Sequence, residues 1–194
     1  MYARYGVTSA IGMGADVTLL DRSAATLARL EEVFGARLKT VISSARSVSM
    51  QVRDADLVIG AVLLRGQRAP KLMTAEDVKH MRNGSVIVDV AIDQGGMCET
   101  SRPTSHSNPL YVVHGVVHCC VPNMPSAVAR TATQALTQVT LPHALAIANR
   151  GLRAAITDDA GLREGLQVCA GHVTHAGLAQ DTGRAFVDAL TALR

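Results

Sequence analysis

Asp16-Val17-Thr18-Leu19-Leu20-Asp21, read on through Arg22, Ser23 and the segment carrying Leu27, Leu30, Val33 and Phe34, decides the fold class. The opening residues are a short apolar run closed by an acid, the pattern of a buried strand. Ser23 offers a hydroxyl to the N-terminus of a helix, and the four apolar residues recur behind it at helical spacing. Gly35 is the residue type at which such a helix stops, because it adopts a left-handed conformation without a Cβ penalty. Together these make one strand–helix unit.

The unit repeats downstream. Leu38–Ile42 reads as a strand, and Ser43-Ser44 opens a helical stretch reaching about Arg53. Ala55–Leu64 is almost uninterrupted apolar sequence, as expected for a strand buried on both faces of a parallel sheet. Arg65–Lys71, with Gly66 and Pro70, reads as a loop. Thr74-Ala75-Glu76 gives a cap and an acidic first turn to a helix ending near Met81, and Asn83-Gly84 turns the chain into a strand over Ser85–Ala91. This alternation predicts an α/β fold over residues 1–128, a doubly wound, Rossmann-like parallel sheet with right-handed crossovers. From Ser126 the pattern changes to Ala-rich helical spacing, through Leu136, Val139, Leu145 and Ile147 and then Leu162, Leu166, Phe186 and Leu190. Residues 129–194 are therefore expected to be a helical segment of a different layer.

Bulk composition narrows the function. A net charge of +3 without a block of like charge, 3% aromatic residues and no Trp make nucleic acid an unexpected partner. No apolar run approaches the roughly 18 residues of a membrane span. Met1-Tyr2-Ala3-Arg4-Tyr5 is not followed by the apolar core of a targeting sequence. Cys98, Cys119, Cys120 and Cys169 form no C-x-x-C pair, which fits reduced thiols and a cytoplasmic location. His114, His118, Cys119 and Cys120 fall on a stretch that reads as a strand, where side chains alternate between faces, so no metal site is expected.

Two acids stand where dinucleotide chemistry would use them. Asp21 ends the first readable strand, where a carboxylate accepts hydrogen bonds from a ribose or simply closes a turn. A glycine-rich phosphate loop would lie about 20 residues earlier, which counts back to Met1 or before it. Gly12-Met13-Gly14 is too close to Asp21 to be that loop and reads as the end of a crossover helix. The first strand and its phosphate cradle are accordingly expected to be missing, leaving a sheet truncated at its amino-terminal strand. Asp93, in Asp89-Val90-Ala91-Ile92-Asp93-Gln94-Gly95-Gly96, follows a buried strand and suits either a ligand-facing acid or a cap before a glycine turn.

A family resemblance is carried by Ala55–Leu63, Ala69-Pro70-Lys71-Leu72, Ser85–Gly96, Glu99–Thr104, Asn123-Met124-Pro125, Ala135-Leu136-Thr137 and Leu141-Pro142. These segments resemble alanine dehydrogenase from Gly12 onward, in its carboxy-terminal portion. The resemblance implies NAD as cofactor and reversible oxidative deamination of L-alanine to pyruvate and ammonia. It implies Asp21 at the adenosine ribose, Ser43 beside the adenine, and Val62 and Leu63 lining the pocket. It further implies that Val90, Ala91, Ile92, Asp93, Arg102, Val121, Pro122, Asn123 and Met124 surround the nicotinamide half, with Asp93 the active-site acid. Thr26, Pro122 and Ala129 depart from the family pattern. The Arg, Lys and His that hold and deprotonate substrate belong to an amino-terminal domain outside these motifs, so this chain is expected to be inactive alone; a homohexamer is implied for a complete enzyme. The NAD-binding part of a nicotinamide nucleotide transhydrogenase, or a non-catalytic interaction module, are the alternatives.

Overall fold

Val17–Asp21 forms β1, and Ser23 caps α1 (Ala24–Phe34) by accepting from the Thr26 N–H at 3.2 Å. Leu27, Leu30 and Phe34 are buried, whereas Val33 falls on the exposed side of the helix. Gly35 ends α1 at φ 56°, and β2 (Leu38–Ile42) returns parallel to β1, with Val17 opposite Leu38 and Asp21 opposite Ile42. Leu30, Phe34 and Leu38 pack with Val7 into a small core between helix and sheet. Ser44 opens α2 (Ala45–Arg53) through a capping box in which Ser47 takes the place usually held by a longer acid or amide. The structure, a computed structural model, describes Val7, Ser9–Leu64 and Gly66–Leu193; Met1–Tyr5 and the Arg65 end of the expected loop lie outside the described residues.

A second sheet follows. β3 (Leu57–Gly60) pairs in parallel with β4 (Val86–Asp89), after α3 (Ala75–Lys79), which is capped by Thr74 and Asp77. β5 (Leu110–Val113) and β6 (Val116–Cys119) form a hairpin, and β6 lies parallel to β4, giving the order β3-β4-β6-β5. His114 and Gly115 both have positive φ, 51° and 79°, the backbone of the tight turn whose twist matches the two flanking strands.

Two expectations about the strands change. Strand Ala55–Leu64 contracts to Leu57–Gly60, and Leu57 and Ile59 are 54% and 56% exposed instead of buried on both faces. Alternate strand residues share a face, so Leu57 and Ile59 lie on the same one. Strand Ser85–Ala91 ends at Asp89, and Val90–Gln94 coils into a 3-10 turn closed by Gly95 at φ 98°. The sheet is in two pieces among the described residues, β1-β2 and β3-β4-β6-β5, with β1 and β3 each paired on one side.

The chain divides into two compact units, one of residues 1–62 and 70–122, the other of residues 63–69 and 123–194. In the second, α4 (Ala129–Arg150) runs through Pro142 and is followed by α5 (Leu152–Asp158), α6 (Ala160–Glu164), α7 (Ala176–Thr182) and α8 (Ala189–Ala192). This part is not wholly helical, because Val168-Cys169 and His172-Val173 form a small hairpin, β7 and β8, around Ala170-Gly171, again both at positive φ. Ala69, Ala155, Ile156, Val173, Ala179 and Ala189 are its buried apolar residues among those described.

Candidate functional site

β3, β4 and β6 are parallel, so their carboxyl ends share one edge of the sheet, and ligands of open parallel sheets bind beyond that edge. Val62 follows β3, Val90–Asp93 follow β4, and Val121 and Pro122 follow β6, so the register brings these residues to the same edge. Asp21 and Ser43 meet at the matching edge of the two-stranded sheet, where the Ser43 N–H donates to the Asp21 carbonyl at 2.9 Å. Asp21 Oδ1 accepts from the Ser23 N–H at 2.7 Å, which holds the acid at the start of α1. Leu63, Asn123 and Met124 belong to the second unit. Asn123 has φ 51° and precedes the 3-10 turn Met124–Val128.

Within the turn after β4, Ala91 and Ile92 are buried while Val90 and Asp93 face outward. The loop beyond it is fastened by Asp89, itself fully buried: Oδ2 accepts from the Met97 N–H at 2.8 Å and from the Ser101 hydroxyl at 2.6 Å. Gly96 has φ 75°, and a Cβ there would sit 2.9 Å from that same oxygen, so glycine is required on both counts. Met97 in turn lies over Gly60, where a Cβ would approach the Met97 side chain to 2.5 Å.

Arg102 is held by an aromatic stack. Its guanidinium lies 4.0 Å from the centroid of the Tyr111 ring, a cation–π distance, and its backbone N–H donates to the Tyr111 hydroxyl at 2.9 Å. Tyr111 donates to the Thr100 carbonyl at 2.9 Å and stacks on His118, its cross-strand neighbour, with centroids 4.9 Å apart. His118 Nδ1 donates to the Val116 carbonyl at 3.0 Å, so in the neutral ring Nε2 accepts from the Thr100 hydroxyl at 2.8 Å. Burial pushes the His118 imidazole below the usual histidine range, outweighing its bond to Val116. Burial, followed by the Cys120 thiol, pushes the Tyr111 phenol well above its usual range. Both rings are therefore neutral near pH 7.

Asp89, Thr100, Ser101, Tyr111 and His118 were not singled out from sequence as supports of this edge. Asp89 carried the one available signal, an acid inside the apolar run Ser85–Ala91. The partners of the others are set by cross-strand and loop packing, which spacing does not encode.

The donor set fits a dinucleotide: a carboxylate at a strand end, apolar residues beyond neighbouring strands, and an anchored cation. Comparison with known proteins shows the family. The family model described as alanine dehydrogenase/PNT, C-terminal domain, matches residues 4–176. The alanine dehydrogenase of Bacillus subtilis is 52% identical over 186 residues, covering 95% of this chain and 49% of that protein. A solved L-alanine dehydrogenase superposes with a TM-score of 0.77 at 48% identity, over 91% of this chain and 48% of that one. A transhydrogenase from Sinorhizobium meliloti gives a TM-score of 0.59 at 27% identity, over 66% of this chain and 36% of its own. The chain spans about half the length of the curated relatives it matches. On these grounds the chain belongs to the alanine dehydrogenase/PNT C-terminal domain family.

Proposed function

We propose that this chain is the NAD-binding portion of an alanine dehydrogenase and serves the reversible oxidative deamination of L-alanine to pyruvate and ammonia. The observation that carries the reading is the meeting of Asp21 and Ser43 at the carboxyl ends of adjacent parallel strands. Asp21 accepts the adenosine ribose hydroxyls and Ser43 lies beside the adenine. A carboxylate at that place repels a 2′-phosphate, so NAD is preferred to NADP despite the neighbouring Arg22. Val62 and Leu63 line the pocket. Val90, Ala91, Ile92, Arg102, Val121, Pro122, Asn123 and Met124 surround the nicotinamide half, and Asp93 holds or moves a proton there.

NAD held by these residues would supply a hydride acceptor for the substrate Cα, while the protein would orient the two and exclude water. The cation for the substrate carboxylate and the titratable base come from the amino-terminal part of the enzyme, beyond the segments matched here. Residues 1–128 act as the cofactor-binding part and 129–194 as a helical segment of the catalytic domain. A cytoplasmic location and a homohexamer belong to the same reading, and among the described residues no helix is long and apolar enough to cross a membrane.

The test is a titration of the purified chain with NADH, followed by nicotinamide fluorescence, with and without the amino-terminal half of an alanine dehydrogenase. Weak binding and no turnover are expected from the chain alone, with binding and alanine-dependent NADH formation gained in the mixture. Alanine oxidation by the chain alone would overturn the expected dependence on that half. A mixture that binds NADPH in preference to NADH would overturn the role of Asp21.

A further inference from the structure

The turn that carries Asp93 ends in Gly95 and Gly96 at φ 98° and 75°. That backbone aims several carbonyls at one point, where they repel one another unless a cation stands among them. Lys71 supplies it. Its Nζ donates to the carbonyls of Gly95 at 2.7 Å, Gly96 at 2.9 Å and Cys98 at 3.0 Å, which uses all three ammonium hydrogens. Lys71 is an exposed residue, so it is not there to fill a core.

The same segment zips onto the loop through its backbone. The Leu72 and Met73 N–H groups donate to the Met97 carbonyl at 2.7 and 3.2 Å, and the Glu99 N–H donates to the Met73 carbonyl at 3.0 Å. From the other side Asp89 takes the Met97 N–H and the Ser101 hydroxyl. The loop is thus gripped from two sides, by Lys71 on three backbone carbonyls and by Asp89 on one backbone N–H and one hydroxyl. Lys71 also stands two residues after the point where the chain re-enters the first unit, between Ala69 and Pro70.

We propose that Lys71 is a positioning residue for Asp93: its ammonium clamps the carbonyls of Gly95, Gly96 and Cys98 and so fixes the 3-10 turn that presents the acid. Its importance for catalysis rests on the reading of Asp93 above, whereas the clamp itself does not. A lysine reaches three converging carbonyls as a compact point charge; an arginine fork keeps the charge but matches that geometry less well.

Amide exchange in the full chain tests the clamp, read at Gly95, Gly96, Met97 and Glu99, whose N–H groups are bonded to Ile92, Ala91, Asp89 and Met73. Lys71→Met should speed these amides by roughly tenfold or more, through local opening, while Ile87 and Val88 in β4 keep their protection. Lys71→Arg should restore part of it. Unchanged loop exchange in Lys71→Met, or an equal acceleration throughout the chain, would overturn the proposal. NADH titration with the amino-terminal half present adds the second arm: Lys71→Met should weaken nicotinamide-fluorescence binding and Lys71→Arg recover it in part. Loop opening with unchanged NADH affinity would overturn the positioning role and leave only a structural clamp. Absence of NADH binding by the unsubstituted mixture would instead sink the cofactor reading, with the exchange result still deciding the clamp.

Discussion

The two faces of the four-stranded sheet meet opposite fates. Val58, Gly60, Ile87, Asp89, Tyr111 and His118 share one face by register; Leu57, Ile59, Val86, Val88, Leu110, Val112, Val117 and Cys119 share the other. On the first, Ile87, Asp89 and His118 are fully buried, beneath the loop that places Met97 over Gly60 and Thr100 on His118. On the second, Leu110 and Val112 are exposed along with Leu57 and Ile59, and the remaining four are half-buried. The open face is the more uniformly apolar, while the closed one contains an acid, a phenol and an imidazole. Closure of a face is therefore decided by what lies over it; beneath the cover His118 and Asp89 Oδ2 find partners, whereas Asp89 Oδ1 is buried without one.

This contrast can be broken by substitution. Ile87→Ala removes a side chain with no exposure and should lower stability by about 2–5 kcal/mol, read from denaturant unfolding. Ile59→Ala, on the open face, should cost less than about 1 kcal/mol in the same measurement. Equal losses would show that the open face is covered in solution. Asp89→Ala leaves the Met97 N–H and Ser101 hydroxyl without their acceptor and should cost about 1–3 kcal/mol; an unchanged unfolding midpoint would deny the acid its anchoring role.

His118 sharpens the contrast through pH. Its folded-state pKa is depressed by burial, so below its ordinary value of about 6.5 the unfolded chain binds the extra proton first. Its contribution to stability is fully present above that value and declines as pH falls toward the folded-state pKa. The unfolding midpoint should drop between pH 7.5 and pH 5.5, and the part of the drop due to this ring should vanish in His118→Phe. The smallest effect is expected at Val112: Val112→Thr should stay within about 0.5 kcal/mol, since its side chain packs on little. A larger loss would place a cover over that face.

Much of the local architecture was legible in the order of residues. Ser23, Ser44 and Thr74 cap the helices they announce, Gly35 stops the first, and Asn83-Gly84 leads into β4. The antiparallel place of β5, the short hairpin at Val168–Val173 and the 3-10 turn bearing Asp93 were not legible, because each depends on a partner strand or a glycine backbone that hydrophobic period does not report. At the candidate site, sequence supplied Asp21, Ser43 and Asp93 through a resemblance of motifs, but gave no sign that Lys71 would gather three carbonyls or that Tyr111 would carry Arg102.

Sequence by itself determined the family, the alternation of strand and helix, and the caps and turns, because these are settled by backbone sterics and hydrogen bonds within a few residues. Tertiary structure alone decided that Leu57 and Ile59 face outward while Ile87 and Asp89 lie beneath a loop. Burial is a relation between segments distant in the chain, and an apolar strand carries no mark of which of its faces will find a partner.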